Sequence, residues 1–344
     1  MTGLQTGFRP LSWVLFTALL IALSGIQMGG ERLGALGAVL YLPMLVWLLP
    51  FLVMFLVGII LRERVAVIHV AGAAFVLFWY ADFQWAFWCP VKAGVFKVVT
   101  NNIGQSNHQT PAGFIKKENP DAVVLQEAFG RIRSFSSRYP GFHVAAQGEF
   151  VLMSKHLINR ANLLRELSWH GRPVVARFEI EVNGQGIAIY SVHMPTPRND
   201  LVRLWGRDFA EEILDPLSTS RHGGRMPVNE SMHERVQLAR RIVEVFTQEQ
   251  MPFIVAGDFN MPSNGYIRRV FSGELQDAFA SCGRGYGFTF PGYTRNPLSF
   301  FQPWLRLDYL FAGNGFRPCY VRTEPERQSQ HRAVAAGFVL EKVP

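Results

Sequence analysis

The hydrophobic pattern divides the chain into two parts at about residue 94. Before that point, three long stretches carry no charged residue, at 11–30, 33–61 and 65–81. Each is close to or above the ~20 apolar residues that a helix needs to cross a bilayer, and the third runs on through an aromatic-rich segment to Trp88. The pattern predicts a membrane anchor over residues 1–94 with three transmembrane helices, at about 11–30, 33–61 and 65–88.

The basic residues that flank these stretches predict their orientation. Arg9 precedes the first stretch, and Arg62 and Arg64 lie between the second and the third. Basic residues concentrate on the cytoplasmic side of membrane proteins, so three crossings place residues 95–344 outside the cytoplasm. We therefore expect a multi-pass protein of the inner or plasma membrane. A cleaved signal peptide is the alternative for the first stretch, and His69 is expected to bond a neighbouring helix.

After residue 94 the pattern changes to short apolar runs that are separated by turn residues. Helical periodicity lies between some of them, at 110–118, 235–246 and 267–271. Residues 201–228 fit no strand pattern and predict a charged insertion. Together, the apolar runs and the helical periodicity predict a mixed α/β (α+β) fold over residues 95–344. The predicted strands are 96–100, 122–125, 150–153, 174–180, 187–192, 253–256, 307–311 and 333–339.

Composition and charge add limited information about partners. The chain is 49% apolar, with a net charge of +8, of which +6 belongs to residues 95–344. A positive net charge favours binding of an anionic substrate or an anionic membrane surface, and it does not distinguish between the two. The three cysteines show no C-x-x-C spacing, which disfavours a zinc site or a disulfide framework. A Cys282–Cys319 pair in an oxidising compartment stays open.

Polar side chains stand at the ends of the predicted strands. Asp258 and Asn260 are the clearest case, because they follow the apolar run 253–256 and point to the same side. A carboxylate beside an amide suits a divalent cation and a phosphate oxygen, although Gly-Asp-x-Asn also forms ordinary turns. Buried polar groups are costly unless they are satisfied, so the recurrence predicts one shared site. Its candidates are Asn102, Glu127, His193, Asp258, Asn260, Asp308 and His331.

Six short segments carry a resemblance to a known family. Their order is that of the endonuclease/exonuclease/phosphatase (DNase I-like) superfamily, and the resemblance covers roughly residues 95–340. It implies a four-layer α/β/β/α sandwich of two packed sheets and metal-dependent hydrolysis of a phosphoester, with Mg²⁺ as the metal and Mn²⁺ as the alternative. The segments are Thr100-Asn101-Asn102-Ile103, Leu125-Gln126-Glu127, Ser191-Val192-His193, Gly257-Asp258-Phe259-Asn260, Leu307-Asp308-Tyr309 and Ser329-Gln330-His331-Arg332.

The resemblance also implies roles for single residues. Glu127 would hold the metal, with Asn102 and Asp258 beside it. Asp258 would also position the attacking water. Asn260 and His193 would bind phosphate oxygens. His331, oriented by Asp308, would stabilise the pentacovalent phosphorus.

One position departs from the family pattern, because Gln330 stands where most members have Asp. An amide brings no negative charge, so a non-catalytic relative is one alternative function. The main expectation is a membrane-anchored phosphodiesterase or phosphatase that acts at the lipid bilayer on a phosphoester, such as a lipid head group. An extracytoplasmic nuclease acting on nucleic acid is the other alternative. No protein partner is predicted.

Overall fold

A computed structural model describes residues 3–86, 89, 94–104, 111–129, 132–204, 227–292, 303–327 and 329–341. Most of the predicted insertion at 201–228 therefore lies outside the described residues. The chain forms two compact units. The helical unit comprises Met1–Phe83, Arg198–His233 and Pro262–Ile267, and the sandwich unit comprises Gln84–Pro197, Glu234–Met261 and Arg268–Pro344.

The helical unit contains three apolar helices, and each runs antiparallel to the next. At one end, Gln5 of the first helix donates to the carbonyl of Leu61 at 3.0 Å, and Arg9 donates to Glu63 at 2.7 Å. At the other end, Gln27 donates to the carbonyl of Trp79 at 3.4 Å. These helices are α1 (Gly3–Gly29), α2 (Met44–Ile60) and α3 (Val67–Ala74), which a short 3₁₀ turn (Arg64–Ala66) precedes and a π-helical turn (Phe75–Tyr80) extends.

The helix bounds differ from the predicted spans. The predicted stretch 33–61 is split, because Gly30–Tyr41 forms a 3₁₀ segment and only the 17 residues of α2 follow it. Gly34 has a φ of 60° inside that segment, and Leu42 is extended because a proline follows it. The predicted stretch 65–88 ends as a helix at Tyr80. By length and composition, the described chain contains one helical segment that could cross a membrane, Gly3–Tyr41.

The 3₁₀ segment is anchored inside the helical unit by Glu31. This side chain is fully buried, and its Oε2 accepts from the backbone N–H groups of Tyr266 and Ile267, at 2.6 and 3.1 Å. These residues begin the helix Tyr266–Glu274, where a negative charge is favourable. His69 is also buried, but neither ring nitrogen has a hydrogen-bond partner among the described residues. The predicted interhelical hydrogen bond is therefore wrong, and the imidazole packs against Phe16 and Phe51 instead.

The sandwich unit contains two six-stranded mixed sheets in the described part of the chain. Sheet one has the order β15-β16-β2-β3-β5-β4, and sheet two has the order β12-β14-β11-β10-β9-β6. Two further two-stranded sheets, β1-β13 and β7-β8, are separate from these. The strands are β1 (Gln84–Trp85), β2 (Phe96–Asn102), β3 (Ala122–Gln126), β4 (His143–Gln147), β5 (Phe150–Ser154), β6 (Ile158–Leu163), β7 (Ser168–Trp169), β8 (Arg172–Pro173), β9 (Val175–Val182), β10 (Gln185–His193), β11 (Phe253–Asp258), β12 (Gln276–Asp277), β13 (Arg284–Gly285), β14 (Asp308–Ala312), β15 (Phe316–Thr323) and β16 (Val334–Leu340).

The two sheets pack face to face over one apolar core. Val98 and Leu152 of sheet one lie in the same buried cluster as Phe178, Ile189 and Ile254 of sheet two. Side chains of a strand alternate between its faces, so the neighbouring apolar residues of the same strands point outward and are covered by helices. This arrangement confirms the predicted fold class of two packed sheets with helices.

Helices cover the outer face of each sheet. On sheet one, Phe114 of a short helix packs into the cluster that contains Val99 and Val123. On sheet two, Phe246 lies 4.7 Å from Tyr190, measured between ring centroids. The helices are α4 (Ala112–Glu118), α5 (Ile132–Arg138), α6 (Arg198–Leu204), α7 (Val228–Thr247), α8 (Tyr266–Glu274) and α9 (Ala278–Cys282).

All eight predicted strands are present within two residues of their predicted bounds. Three long strands that the pattern did not predict are β4, β6 and β15, and each stands at an edge of its sheet. An edge strand is half exposed, so its sequence carries less apolar character. Pro318 lies within β15, a position that an edge strand tolerates because one side of its backbone is unpaired.

The cysteine pairing differs from the one that the sequence left open. Cys89 is bonded to Cys282 across 193 residues, and Cys319 is buried and takes part in no disulfide. The antiparallel pairing of β1 with β13 brings the two chain segments together. The thiol of Cys319, in contrast, faces the carbonyl of Gly337 within sheet one. The pair Cys282–Cys319 that the sequence left open is therefore not formed, and Cys282 is bonded to Cys89 instead.

Asp277 joins three elements of sheet two and its flank. Its Oδ1 accepts from the N–H groups of Phe279 and Ala280 at the start of α9. Its Oδ2 lies 2.9 Å from Arg306 and 3.2 Å from Arg268. Burial alone would raise the pKa of this carboxyl, but the two guanidinium groups and the backbone donors outweigh burial and lower it.

We expect Asp277→Asn to destabilise the full chain by about 3 kcal/mol at pH 7, because it leaves buried cations without their counter-ion. The folded-state pKa is depressed, so the carboxylate's contribution is complete above its unfolded pKa of about 3.9 and is lost as the pH falls through the folded value. The difference between wild type and variant should therefore shrink at low pH, as measured by urea unfolding in detergent. Glu341→Gln, in an exposed ion pair with Arg317, is the control, and an equal loss in both variants would contradict the assignment.

Candidate active site

Asp258 stands at the centre of a cluster of polar side chains. It ends β11, where the register pairs it with His193 of β10 on one side and Asp308 of β14 on the other. Only 1% of its surface is exposed. Sheet two therefore brings a carboxylate, an imidazole and a second carboxylate side by side at the ends of three adjacent strands.

Gly257 permits the close approach of β10 and β11 at this point. Its φ is 153°, and a Cβ atom there would lie 1.9 Å from the carbonyl oxygen of Val192. No side chain fits that gap, because the obstacle is backbone. Glycine before Asp258 is thus needed for the register that pairs the aspartate with His193.

Sheet one contributes an amide and a third carboxylate. Asn102 ends β2, and Glu127 follows β3. The Nδ2 of Asn102 donates to Oε1 of Glu127 and to Oδ2 of Asp258, both at 3.0 Å. The amide therefore bridges carboxylates that come from the two sheets.

His331 lies between the two aspartates. Its Nδ1 is 2.9 Å from Oδ2 of Asp308, and its Nε2 is 3.7 Å from Oδ2 of Asp258. Burial alone would lower the pKa of His331, but the charges of Asp308 and Asp258 outweigh burial and raise it to about 9. The imidazole is therefore a cation at neutral pH. Burial, together with the nearby charge of Asp308, raises the pKa of Asp258.

His193 is held by a carboxylate that the sequence did not predict. Its Nε2 faces the cluster, 3.9 Å from Glu127 and 3.8 Å from Asp258. Its Nδ1 lies 3.1 Å from Oε2 of Glu149 and 2.7 Å from Arg172. Glu149 is 3% exposed. Burial alone would raise its pKa, but His193 and Arg172 outweigh burial and lower it. Glu149 sits in a Gly-Glu turn before β5, and nothing in that pattern marks it.

Two site residues have an unfavourable backbone conformation. Glu127 and Asn260 have φ values of 53° and 47°, in the left-handed region. Residues other than glycine occupy this region at a cost, and such conformations concentrate at functional sites. Asn260 is fixed there by three hydrogen bonds: its N–H donates to Asp258, its Nδ2 donates to the carbonyl of Met194, and its carbonyl accepts from Arg235.

A second unpredicted group fixes the backbone of His331. The Nδ2 of Asn101 donates to the carbonyl of His331 at 3.4 Å, and Arg327 donates to the same carbonyl at 3.2 Å. Arg327 also donates to Oδ1 of Asn101 and to Glu324. The ring of Phe290 lies 4.9 Å from the imidazole. Asn101 and Asn102 are consecutive residues of β2, so their side chains point to opposite faces of the strand. Because Asn102 points into the site, this alternation could have indicated that Asn101 has a different, supporting role.

The structure brings all seven predicted side chains into one neighbourhood. Gln330 is not part of it, because this residue is exposed; its backbone carbonyl accepts from the N–H of Gly292. The absent Asp at position 330 therefore removes no group from the cluster that the described residues form.

The donor set fits a divalent cation. Asp258, Asp308 and His331 each offer a ligand atom, and these atoms lie within 4.8 Å of one another. Oδ1 of Asp308 is buried without a hydrogen-bond partner among the described residues. A protonated imidazole does not bind a metal, so the carboxylate oxygens are the better donors. Three carboxylates against one imidazolium leave negative charge that Mg²⁺ or Mn²⁺ would balance.

Solved structures that are similar to this chain come from several organisms. A humanized TDP2 from D. rerio has 13% sequence identity and a TM-score of 0.50, over 71% of this chain and 99% of its own. The 3′ phosphatase NExo from Neisseria has 17% identity and a TM-score of 0.48, over 71% and 99%. The mannosyl-6-phosphatase Bt3783 from Bacteroides thetaiotaomicron has 15% identity and a TM-score of 0.47, over 71% and 100%. At these identities the likeness concerns the fold alone.

A comparison with protein families identifies the chain more directly. No curated protein sequence matches it. The model of the endonuclease/exonuclease/phosphatase family, however, matches residues 112–331. That range is more than half of the chain and includes six of the seven clustered residues, from Glu127 to His331. The protein belongs to the endonuclease/exonuclease/phosphatase family.

Proposed function

We propose that this protein is a membrane-anchored, divalent-metal-dependent phosphoesterase that hydrolyses a lipid-linked phosphate ester outside the cytoplasm. The observation that carries the proposal is the buried Asp258 carboxylate, which Asn102 and two imidazoles surround within 4 Å. Such a site can orient a water molecule and stabilise negative charge on a phosphoryl group. Membership of the family supports phosphoester hydrolysis, and the donor set supports a metal.

The chemistry can be assigned to the clustered residues. Asp258 orients the attacking water and accepts its proton, since burial favours a protonated carboxyl. His331, a cation held by Asp308, stabilises the charge that develops on the phosphoryl oxygens. His193 presents Nε2 to a phosphate oxygen while Glu149 fixes its other nitrogen. Glu127, with Asn102 and Asp258, would hold the metal, which supplies Lewis-acid polarisation of the phosphoryl group.

The surface of the helical unit supports membrane anchoring by three helices. Of the exposed large apolar side chains in the described chain, all but Trp85, Phe129 and Leu157 lie between residues 4 and 79. Exposed apolar surface on this scale is typical of contact with lipid. The hydrogen bonds of Gln5 and Arg9 also place the start of α1 beside the α2–α3 loop, so Arg9, Arg62 and Arg64 share one side.

The disulfide supports the extracytoplasmic side. Cys89 and Cys282 both belong to the sandwich unit, and disulfides persist in oxidising compartments such as the periplasm and the cell exterior. The positive-inside rule gives the same orientation. A tethered site outside the cytoplasm meets bilayer head groups at high local concentration, which favours a lipid-linked substrate over a free one.

We expect the purified full chain to hydrolyse bis-p-nitrophenyl phosphate with Mg²⁺ or Mn²⁺ and to lose activity with EDTA. Asp258→Asn and Glu127→Gln should each lower kcat/KM by about 10²–10⁴-fold, because each removes a charged group that acts on the reacting phosphate or the metal. Steady-state rates at saturating metal measure this. Glu181→Gln, an exposed change of the same type on β9, should leave the rate unchanged.

The same preparation separates the candidate substrates. Release of head groups from liposomes should exceed nicking of plasmid DNA, since the chain is anchored at the bilayer. Faster plasmid nicking would establish the nuclease alternative instead. Wild type and Asp258→Asn with equal, near-background rates on every substrate would establish the non-catalytic relative.

The orientation has its own test in whole cells. A membrane-impermeant maleimide should label Cys89 and Cys282 only after reduction, because they are paired outside the cytoplasm. A reporter fused after Lys92 should give an extracytoplasmic signal. Labelling that needs cell lysis rather than reduction, together with a cytoplasmic reporter signal, would contradict the proposed side.

A further inference from the structure

The sandwich unit contains a second concave site that the chemistry above does not use. It is a cavity of about 640 Å³. We call it the arginine cavity, because three arginines are among its lining residues, together with two aromatic residues and a threonine. The residues in question are Arg284, Arg322, Arg332, Tyr286, Phe288 and Thr323.

The positive charge of the arginine cavity is incompletely balanced. Among the described residues, neither Arg284 nor Arg332 has a carboxylate oxygen within 4.0 Å. The nearest ion pair of Arg322, to Glu118, is 3.7 Å long. Glu324 also lines the cavity, but Arg327 already neutralises it at 2.9 and 3.0 Å. Arg284 donates to the backbone carbonyl of Ala86 at 3.2 Å, which leaves its positive charge unbalanced. An anion that entered the cavity would therefore meet cations that no close carboxylate neutralises.

Two buried polar atoms of the cavity residues lack partners. Nε of Arg332 and Oγ1 of Thr323 are both buried without a hydrogen bond among the described residues. A buried donor that is left unpaired is unfavourable. Phosphate oxygens accept several hydrogen bonds and carry charge, so they are suitable partners for such donors.

The aromatic pair adds an apolar wall. The rings of Tyr286 and Phe288 stack with centroids 4.9 Å apart and planes 6° from parallel. Stacked rings beside guanidinium groups suit a ligand that carries both an anion and an apolar portion. Inorganic phosphate alone would leave this wall unused, which favours a phosphate ester.

We propose that the arginine cavity binds the phosphate group of a phosphate ester with an apolar portion, separately from the Asp258 cluster. Arg332 follows His331 directly, but Arg332 lines the cavity, whereas the imidazole of His331 bonds Asp308. The ester can come from an anionic phospholipid of the bilayer or from a soluble compound. Binding requires no turnover, so this inference holds or fails independently of the proposed function.

The test uses the full chain with EDTA present, so that no metal-bound phosphate at the Asp258 cluster contributes. One arm adds glycerol 3-phosphate to protein in detergent. The other compares nanodiscs of phosphatidylcholine with nanodiscs that also contain phosphatidic acid. Hydrogen exchange of segments 282–288 and 321–325 is the local measurement. We expect protection of both segments by phosphatidic acid, and weaker protection by the soluble ester if the bilayer is the source.

The Arg284→Gln/Arg322→Gln double variant should lose this protection, with at least roughly tenfold weaker binding of the soluble ester, because two charge-assisted contacts disappear. Arg317→Gln is the matched control, since Arg317 is on the same strand as Arg322 but pairs with Glu341 at the surface. If the double variant unfolds, Arg284→Gln alone takes its place, as this side chain is exposed. Equal protection in variant and wild type, no protection in either arm, or stronger protection by a single-stranded oligonucleotide would each overturn the proposal.

Discussion

The account depends on one buried carboxylate. Asp258 is 1% exposed at the end of a central strand, where an uncompensated charge would be strongly unfavourable. The surrounding residues satisfy it: Asn102 donates to one oxygen, the N–H of Asn260 donates to the other, and His331 and His193 stand within 4 Å. Gly257 keeps β10 close enough for this arrangement. The same contacts that make the burial of the charge tolerable also give the site its chemistry.

The site exists only when the sandwich is closed. Sheet two supplies His193, Asp258 and Asp308, whereas Asn102 and Glu127 belong to sheet one. The sheets meet over an apolar cluster and through a buried hydrogen bond from Gln126 to Ser191, so packing of the core and assembly of the site are one event. This coupling explains why strand ends, rather than loops of free conformation, hold the reacting groups: a packed core fixes the ends of its strands to within small tolerances.

The inner strands and the strand-end residues could be predicted from the sequence because both follow from burial. A central strand is apolar on both faces, and a polar residue at its end stands out, as Asp258 and His193 do. The edge strands β4, β6 and β15 could not be predicted in the same way, because half-exposed strands lose that contrast.

Other features depend on long-range contacts that a linear pattern does not contain. Glu149 contacts His193 from a turn 44 residues away. Cys89 lies beside Cys282, 193 residues further along the chain, because β1 pairs with β13. The left-handed backbone of Asn260 is likewise held by its hydrogen bonds to Asp258, Met194 and Arg235. Residues 33–41 of the 3₁₀ segment belong to the predicted span 33–61 because they carry no charge. The contact of Glu31 with Tyr266, which holds this segment, joins residues 235 positions apart.

The most direct test of the central claim is to locate the metal. Crystals of the full chain soaked in Mn²⁺ and measured at the manganese absorption edge give the position of the ion without an activity assay. The account predicts an anomalous peak at the Asp258 cluster, in contact with a carboxylate oxygen of Glu127, and no such peak in Glu127→Gln crystals. A peak remote from Glu127 and Asp258, or none at saturating Mn²⁺, would contradict it.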